Sequence, residues 1–153
     1  MCKKLSNMAK YVLTSIHKHG NICNVKKNKE YIDMNETIDL GPFGEEKAAE
    51  YLTSNGYKIL CRNFRCKAGE IDIVATDKQA PGTIIFIEVK TRRNRSFGLP
   101  CEAVTGSKLS RIRRVVKSYA AIKRCSNKNL RIDVIELLIL NKKIYIRHLK
   151  NVG

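Results

Sequence analysis

Apolar and polar positions recur with different periods along the chain, and each change of period marks an element. From Phe43 the apolar and small residues Ala48, Ala49 and Leu52 follow helical spacing until "TSNG", where Gly56 takes the helix-ending position. Tyr57 to Phe64, Glu70 to Thr76 and Thr83 to Thr91 are rich in β-branched and aromatic residues and read as three strands, with "DKQAPG" a turn between the last two. Past the loop "RRNRSFGLP", Thr105 or Ser107 can cap a second helix whose inward stripe is Leu109, Ile112, Val116 and Tyr119. Leu130 to Leu140 and Ile144 to Leu149, joined at "NK", read as a closing hairpin. Helix, three strands, helix, two strands predicts an α/β sandwich with a mixed central β-sheet flanked by helices.

Residues 1–38 lack this patterning. They hold seven Lys, three acids, one short helix-compatible stretch around Met8 to Ile16 and the polar run "HKHGNICNVKKNKEYIDMNE". The expectation is a basic, flexible N-terminal extension followed by a single domain at 39–153. Met34 stands just before the first strongly patterned segment, which leaves open whether translation starts there or at Met1.

Composition adds a partner class. With 43% hydrophobic residues, 153 residues suffice for one domain with a real core. Thirty Lys and Arg against fourteen Asp and Glu give a formal charge of +16, which favours polyanions such as nucleic acid. A membrane is the weaker partner, because no apolar run approaches the ~20 residues of a spanning helix and no signal peptide is visible. A cytoplasmic location is expected. Cys2, Cys23, Cys61, Cys66, Cys101 and Cys125 form no CxxC pair and have no nearby His partner, so reduced thiols are expected rather than a zinc or redox site. His17, His19 and His148 are dispersed and receive no catalytic role.

Chemistry enters where the strands carry charge. In "GEIDIVATDKQAPGTIIFIEVKTRR", Asp72 lies between Ile71 and Ile73 as Glu88 lies between Ile87 and Val89, and Lys90 shares the face of Glu88. If the two strands pair in register, both acids converge. Two carboxylates so placed repel unless a divalent cation lies between them, and oxygen ligands suit Mg²⁺ or Mn²⁺. Lys90 then has a separate task, holding an attacking water or offsetting charge that builds on phosphorus. The ordinary alternative is a solvent-facing row of cross-strand charge pairs. Against it stands the joint occurrence of Asp72, fifteen intervening residues, Glu88-x-Lys90 on an apolar strand, and an acid-bearing helix before them.

The run "GPFGEEKAAEYLTSNGYKILCRNFRCKAGEIDIVATD", followed by "IIFIEVKTRR" and "EAVTGSKLSRIRR", resembles the YraN family of small bacterial proteins over roughly Leu40 to Leu138. The resemblance implies a restriction-endonuclease-like fold of the PD-(D/E)XK superfamily, similar to Holliday-junction resolvases. It also implies metal-dependent hydrolysis of phosphodiester bonds, leaving a 5′-phosphate and a 3′-hydroxyl. By that resemblance the catalytic set is Glu45, Asp72, Glu88 and Lys90. Asp72 and Glu88 would hold the metal, with Glu45 binding it or orienting its water. Glu45 is preferred to Glu46 because the resolvase pattern of Gly, Glu, Leu and Gly is matched by Gly41, Glu45, Leu52 and Gly56. The usual Pro before the Asp is replaced by Ile71, and Glu70 precedes it, open as an outer acid, an extra ligand or an ion-pair partner of Arg62 or Arg65.

Between Lys108 and Arg131 there are nine Lys or Arg and no acid. Lys108, Arg111, Arg113, Arg114 and Lys117 on the second helix are expected to track a phosphate backbone, with Arg92, Arg93 and Arg95 clamping phosphates beside the catalytic strand. No zinc finger, RNP-type aromatic signature or recognition helix is present, so binding is expected to follow nucleic-acid structure rather than sequence. Asp133 either closes the sheet face near the site or pairs with Arg131. The leading expectation is a Mg²⁺- or Mn²⁺-dependent endonuclease acting on branched or structured DNA; the resemblance to resolvases implies a homodimer, since symmetric junction cleavage needs two sites. The alternatives are a non-catalytic DNA- or RNA-binding protein on the same fold and an RNA-directed, ribosome-associated factor.

Overall fold

A computed structural model describes residues 39–93, 104–125, 127–141 and 143–153, together with the backbone of 14–16 and 22–24. Strands β1 (Thr14–Ile16) and β2 (Ile22–Asn24) pair antiparallel and lie within the segment expected to be an extension. The rest of that segment, with His17, His19 and Cys2, is outside the described residues, as are Arg95 and Cys101. Thr14–Ile16 also corrects the helix-compatible reading of Met8 to Ile16: two β-branched residues in three favour an extended backbone, and β2 supplies the pairing that a short helix would lack.

The next described element is α1 (Leu40–Ser54). Asp39 caps it by accepting the Gly41 amide at 3.2 Å, and Gly56, at φ +84°, turns the chain after its end in a conformation that side-chain-bearing residues rarely adopt. Three strands follow, β3 (Tyr57–Cys66), β4 (Gly69–Asp77) and β5 (Ala80–Arg92). Helix α2 (Gly106–Ile122) is capped by Thr105, the first of the two residues anticipated, which accepts the Lys108 amide at 3.4 Å. Strands β6 (Asn129–Leu140) and β7 (Lys143–Leu149) complete a five-stranded sheet in the order β3-β4-β5-β6-β7. All neighbours are antiparallel except β5 and β6, whose parallel pairing is made possible by the crossover through α2.

Alternation along β5 shows how the layers divide. Ile85 and Ile87 join Ala48, Leu52 and Tyr51 of α1 in one core, while Ile84 and Phe86 join Ile112, Val115, Val116 and Tyr119 of α2 in the other. The sheet is thus buried on both faces, one helix to each. This is the α/β sandwich with a mixed central sheet that the pattern of elements predicts. The anticipated stripe of α2 is inward, with Val115 and Ala120 widening it and Leu109 at its margin.

Helix α1 approaches β5 closely at Gly44, which is buried. A Cβ there would stand 1.8 Å from Thr91 Oγ1 and 3.0 Å from Thr91 Cβ, so the glycine is what allows this end of the helix onto the strand. The opposite end of the sheet is tied by a buried polar network. Asp133, without exposure, accepts from Arg131 Nε and Nη2 at 3.0 and 2.9 Å, from the Asn151 amide at 2.8 Å and from His148 Nε2 at 3.0 Å. Its role is therefore the ion pair, extended to a histidine that also meets the rings of Tyr51 and Tyr57. Burial opposes the Asp133 charge, but hydrogen bonds from His148 and Arg131 outweigh it and hold the carboxyl below its ordinary range.

Two outcomes follow. A carboxyl whose pKa is lowered by folding contributes stability that is full above its unfolded value, about 3.9, and is lost as pH falls through the lower folded value. The stability difference between wild type and Asp133→Asn, read by urea unfolding, should therefore be constant near neutrality and shrink below about pH 4. Gly44→Ala should lower stability by about 1–3 kcal/mol through overpacking against Thr91. Thr91→Ala in the same chain should restore part of that loss in thermal unfolding.

Candidate active site at the fork of β4 and β5

Strands β4 and β5 pair from Asp77 back to Ile73, which lies opposite Ile87, and there their ladder ends. Beyond this point β5 runs on beside β6 as far as Arg92, and β4 runs on beside β3 to Gly69. The sheet therefore forks between Asp72 and Glu88, the positions that one more step of the register would set opposite each other. Departure from β4 leaves the Val89 amide facing the gap, and the Asp72 carboxylate accepts it at 2.6 Å. One acid thus takes over a hydrogen bond that the sheet abandons.

Alternation is expected to set Ile71 and Ile73 on one face, and the structure corrects this. Ile73 packs in the core beneath α1 and Ile71 in the core beneath α2. The cause lies on both strands: Asn63 has a left-handed backbone with φ +51°, and the ladder between β3 and β4 passes from Arg62 opposite Ile73 to Phe64 opposite Ile71 with no pair between. Asp72 occupies the missing position. Its side chain consequently sits between the helical layers, and the charges that reach it come from β5, α1 and α2 together.

Burial, followed by the nearby Glu88 carboxylate, raises the Asp72 pKa to about 7. Glu45 adds to the rise, while the Val89 amide and Lys108 oppose it. Glu45 is half-buried and is delivered by the turn of α1 that Gly44 seats on β5. Glu46, the fallback, is exposed and engaged elsewhere, accepting from Arg62 Nη1 at 2.7 Å. Glu70 is likewise a surface ion-pair partner, 3.1 Å from Arg65, which resolves its three readings in favour of the simplest.

Glu88 meets a cation from α2. Lys108 Nζ stands 2.7 Å from its Oε1, with the two side chains 36% and 15% exposed. Lys108 precedes the buried Ile112 by one helical repeat, so it falls on the inner side of α2 rather than on the open surface anticipated for it. Lys90 is half-buried and lies in register beside Glu136 of β6, which in turn lies beside Arg147 of β7. Glu136 is fully buried, accepts from Arg147 Nε at 2.7 Å and from Arg147 Nη2, and has its other oxygen 3.9 Å from Arg92 Nη2. This row was not anticipated from the sequence. Its signal was an acid inside the apolar run "IDVIELLIL", with an arginine at the matching position of the following hairpin strand.

In kind, the donors suit a hard divalent cation: a partly buried carboxyl, Asp72, close enough to the carboxylates of Glu88 and Glu45 for both to raise its proton affinity. In arrangement, no three His, Cys, Asp or Glu side chains among the described residues are assembled as a ligand set. Glu88 is instead held by Lys108. Arg93, Arg111, Arg113, Arg114 and Lys117 are exposed beside this end of the sheet and on α2, whereas Arg92 is half-buried toward Glu136. Among the described residues no helix is long and apolar enough to cross a membrane.

Comparison with known proteins identifies the family. A family described as "Uncharacterised protein family UPF0102" matches residues 44–137, from the close approach of α1 to the middle of β6. A UPF0102 protein of Caldicellulosiruptor saccharolyticus is 44% identical over 115 residues, covering 74% of this chain and 95% of its own. Those of Clostridium novyi and Alkaliphilus oremlandii are 47% and 45% identical, over 67% and 77% of this chain and 82% and 98% of theirs. Among solved structures, one titled "Structure of EndoMS-dsDNA2 complex" aligns with TM-score 0.34 and 24% identity over 69% of this chain and 40% of that one, a likeness too loose to carry function. The chain belongs to the UPF0102 family, the YraN family that its motifs resemble.

Proposed function

We propose that this protein is a metal-dependent endonuclease that hydrolyses phosphodiester bonds in branched or otherwise structured DNA. The observation that carries this reading is the approach of Glu88 and Glu45 to Asp72 at the fork of β4 and β5, where burial first and these two carboxylates after it raise the Asp72 pKa to about 7, with Lys90 two residues beyond Glu88. Asp72 and Glu88 are the residues to hold Mg²⁺ or Mn²⁺, which when bound supplies positive charge at the scissile phosphate. Glu45 accepts a hydrogen bond from the attacking water and so orients it. Lys90, projecting from a strand paired to β6 along its length, donates to that water and offsets charge on phosphorus as the bond to the 3′-oxygen breaks. The water oxygen forms the new bond to phosphorus, which stays on the 5′ side as the 5′-phosphate, and the proton that water releases passes to the departing 3′-oxygen, which becomes the 3′-hydroxyl.

Substrate binding falls to the exposed cations of α2 and to Arg93, which neutralise phosphates without reading bases. Cleavage on both sides of a junction requires two sites and therefore two copies of the chain. The pairing of Glu88 with Lys108 favours a second reading, a protein that binds structured nucleic acid without cutting it.

Labelled four-way junction, flap, single-stranded and linear duplex DNA, incubated with Mg²⁺ or Mn²⁺, decide between the two. Wild type should cut the junction, with a rate reduced by at least about 10²-fold in Glu88→Ala while junction affinity stays within a few-fold. Absence of cutting, with equal binding by both proteins, would establish the second reading, and preference for duplex RNA in competition would redirect it to RNA. Arg113→Ala combined with Arg114→Ala should weaken binding to every DNA form alike and reduce the logarithmic salt slope by about 2, measured by fluorescence anisotropy.

A further inference from the structure

Glu88 is the acid of the site with a cation already upon it. The ammonium of Lys108 lies 2.7 Å from Oε1 of a carboxylate that is only 15% exposed, a setting in which an ion pair is screened less than on an open surface. The backbone that presents this lysine is fixed. Its amide is bonded to the Thr105 cap, and Ile112, one helical repeat on, is buried to 1% exposure, so α2 cannot carry Lys108 away without uncovering its own core. The side chain is the part that can move, a four-carbon stem whose head is 36% exposed.

We propose that Lys108 is the resident counter-cation of the acidic site, which a divalent metal must displace from Glu88, so that this lysine sets the metal affinity of the protein. The proposal rests on the nuclease reading of the same carboxylates. It accounts for two facts together: three acids share the fork, yet no three-ligand set is assembled among the described residues, because Glu88 is turned to α2. Metal uptake is then an exchange, a dication for an ammonium. Lys108 leaves the carboxylate for solvent or for a phosphate of the bound nucleic acid, and no bond is made or broken beyond ion pairs and coordination.

The test is a Mn²⁺ titration of the full chain without nucleic acid, following the paramagnetic resonance signal of free Mn²⁺ at fixed pH and ionic strength. Lys108→Met should bind Mn²⁺ at least about threefold more tightly than wild type, the gain set by the worth of a partly exposed ion pair. Lys108→Arg, which keeps a cation on the carboxylate, should stay at the wild-type value, and Glu88→Gln should weaken binding. Lys123→Met removes the same charge from the far end of α2 and should change little, since screening isolates charges more than about 10 Å apart. If Lys108→Met binds no more tightly than wild type, or if Lys123→Met gains equally, the exchange is refuted. Wild-type binding that is lost in Glu88→Gln would leave the metal-site reading standing in that case. If neither wild type nor Lys108→Met binds Mn²⁺, both fall together.

Discussion

The amide of Val89 is the group around which the site is arranged. Strand β5 serves β4 on one edge as far as Ile87 and β6 on the other as far as Arg92, so at Glu88 it loses a partner on one side only. A buried N–H left without an acceptor costs roughly 1–3 kcal/mol, and the fork would be disfavoured by that amount if nothing filled it. Asp72 does so with its own carboxylate. The burial of this acid is thus a consequence of how the sheet divides. Its nearness to Glu88 follows from the register, in which the two stand one step beyond the last pair, Ile73 opposite Ile87. Its raised proton affinity follows from both.

Much of this was legible in the sequence because it depends on local patterns. Runs rich in β-branched, aromatic and other apolar residues identify β3 to β7, and a short turn at "DKQAPG" leaves little freedom in how β4 folds back on β5, so the nearness of Asp72 and Glu88 could be anticipated from fifteen intervening residues. The loss of alternation at Asp72 was not legible. Ile71 and Ile73 are the same residue and look alike in any pattern, and the change of face between them depends on a left-handed Asn63 in a different strand. Asparagine tolerates that conformation but does not announce it.

Two further residues were legible in principle, Glu136, which received no role, and Lys108, which was assigned to the phosphate-binding surface. Glu136 obeys the rule that marked Glu88, a charge inside an apolar strand. Its partner Arg147 lies where the register of a tight hairpin would put it. Lys108 belongs to a basic run that invites a single interpretation, yet its spacing to Ile112 turns it inward, away from Arg113 and Arg114. A charge run is a statement about composition, and only helical phase says which of its members meets the site.

The same phase argument separates the two lysines that stand near Glu88. Lys90 rises from a strand paired along β6, beside a row in which Glu136 and Arg147 already compensate each other. Its origin is fixed by the sheet, and displacing it would require the strand to move. Lys108 reaches in from the first turns of a helix, over a gap that its own side chain spans, and its head is partly in water. A cation held by the sheet suits a constant role at a reacting phosphate, because its position survives the arrival of substrate. A cation on a long stem at the mouth of the site suits exchange, because the charge it neutralises can be passed to another cation without disturbing the core. In a chain of net charge +16, the few acids that converge will attract some cation whatever else is bound. The fold determines which of its own lysines is held there loosely enough to leave.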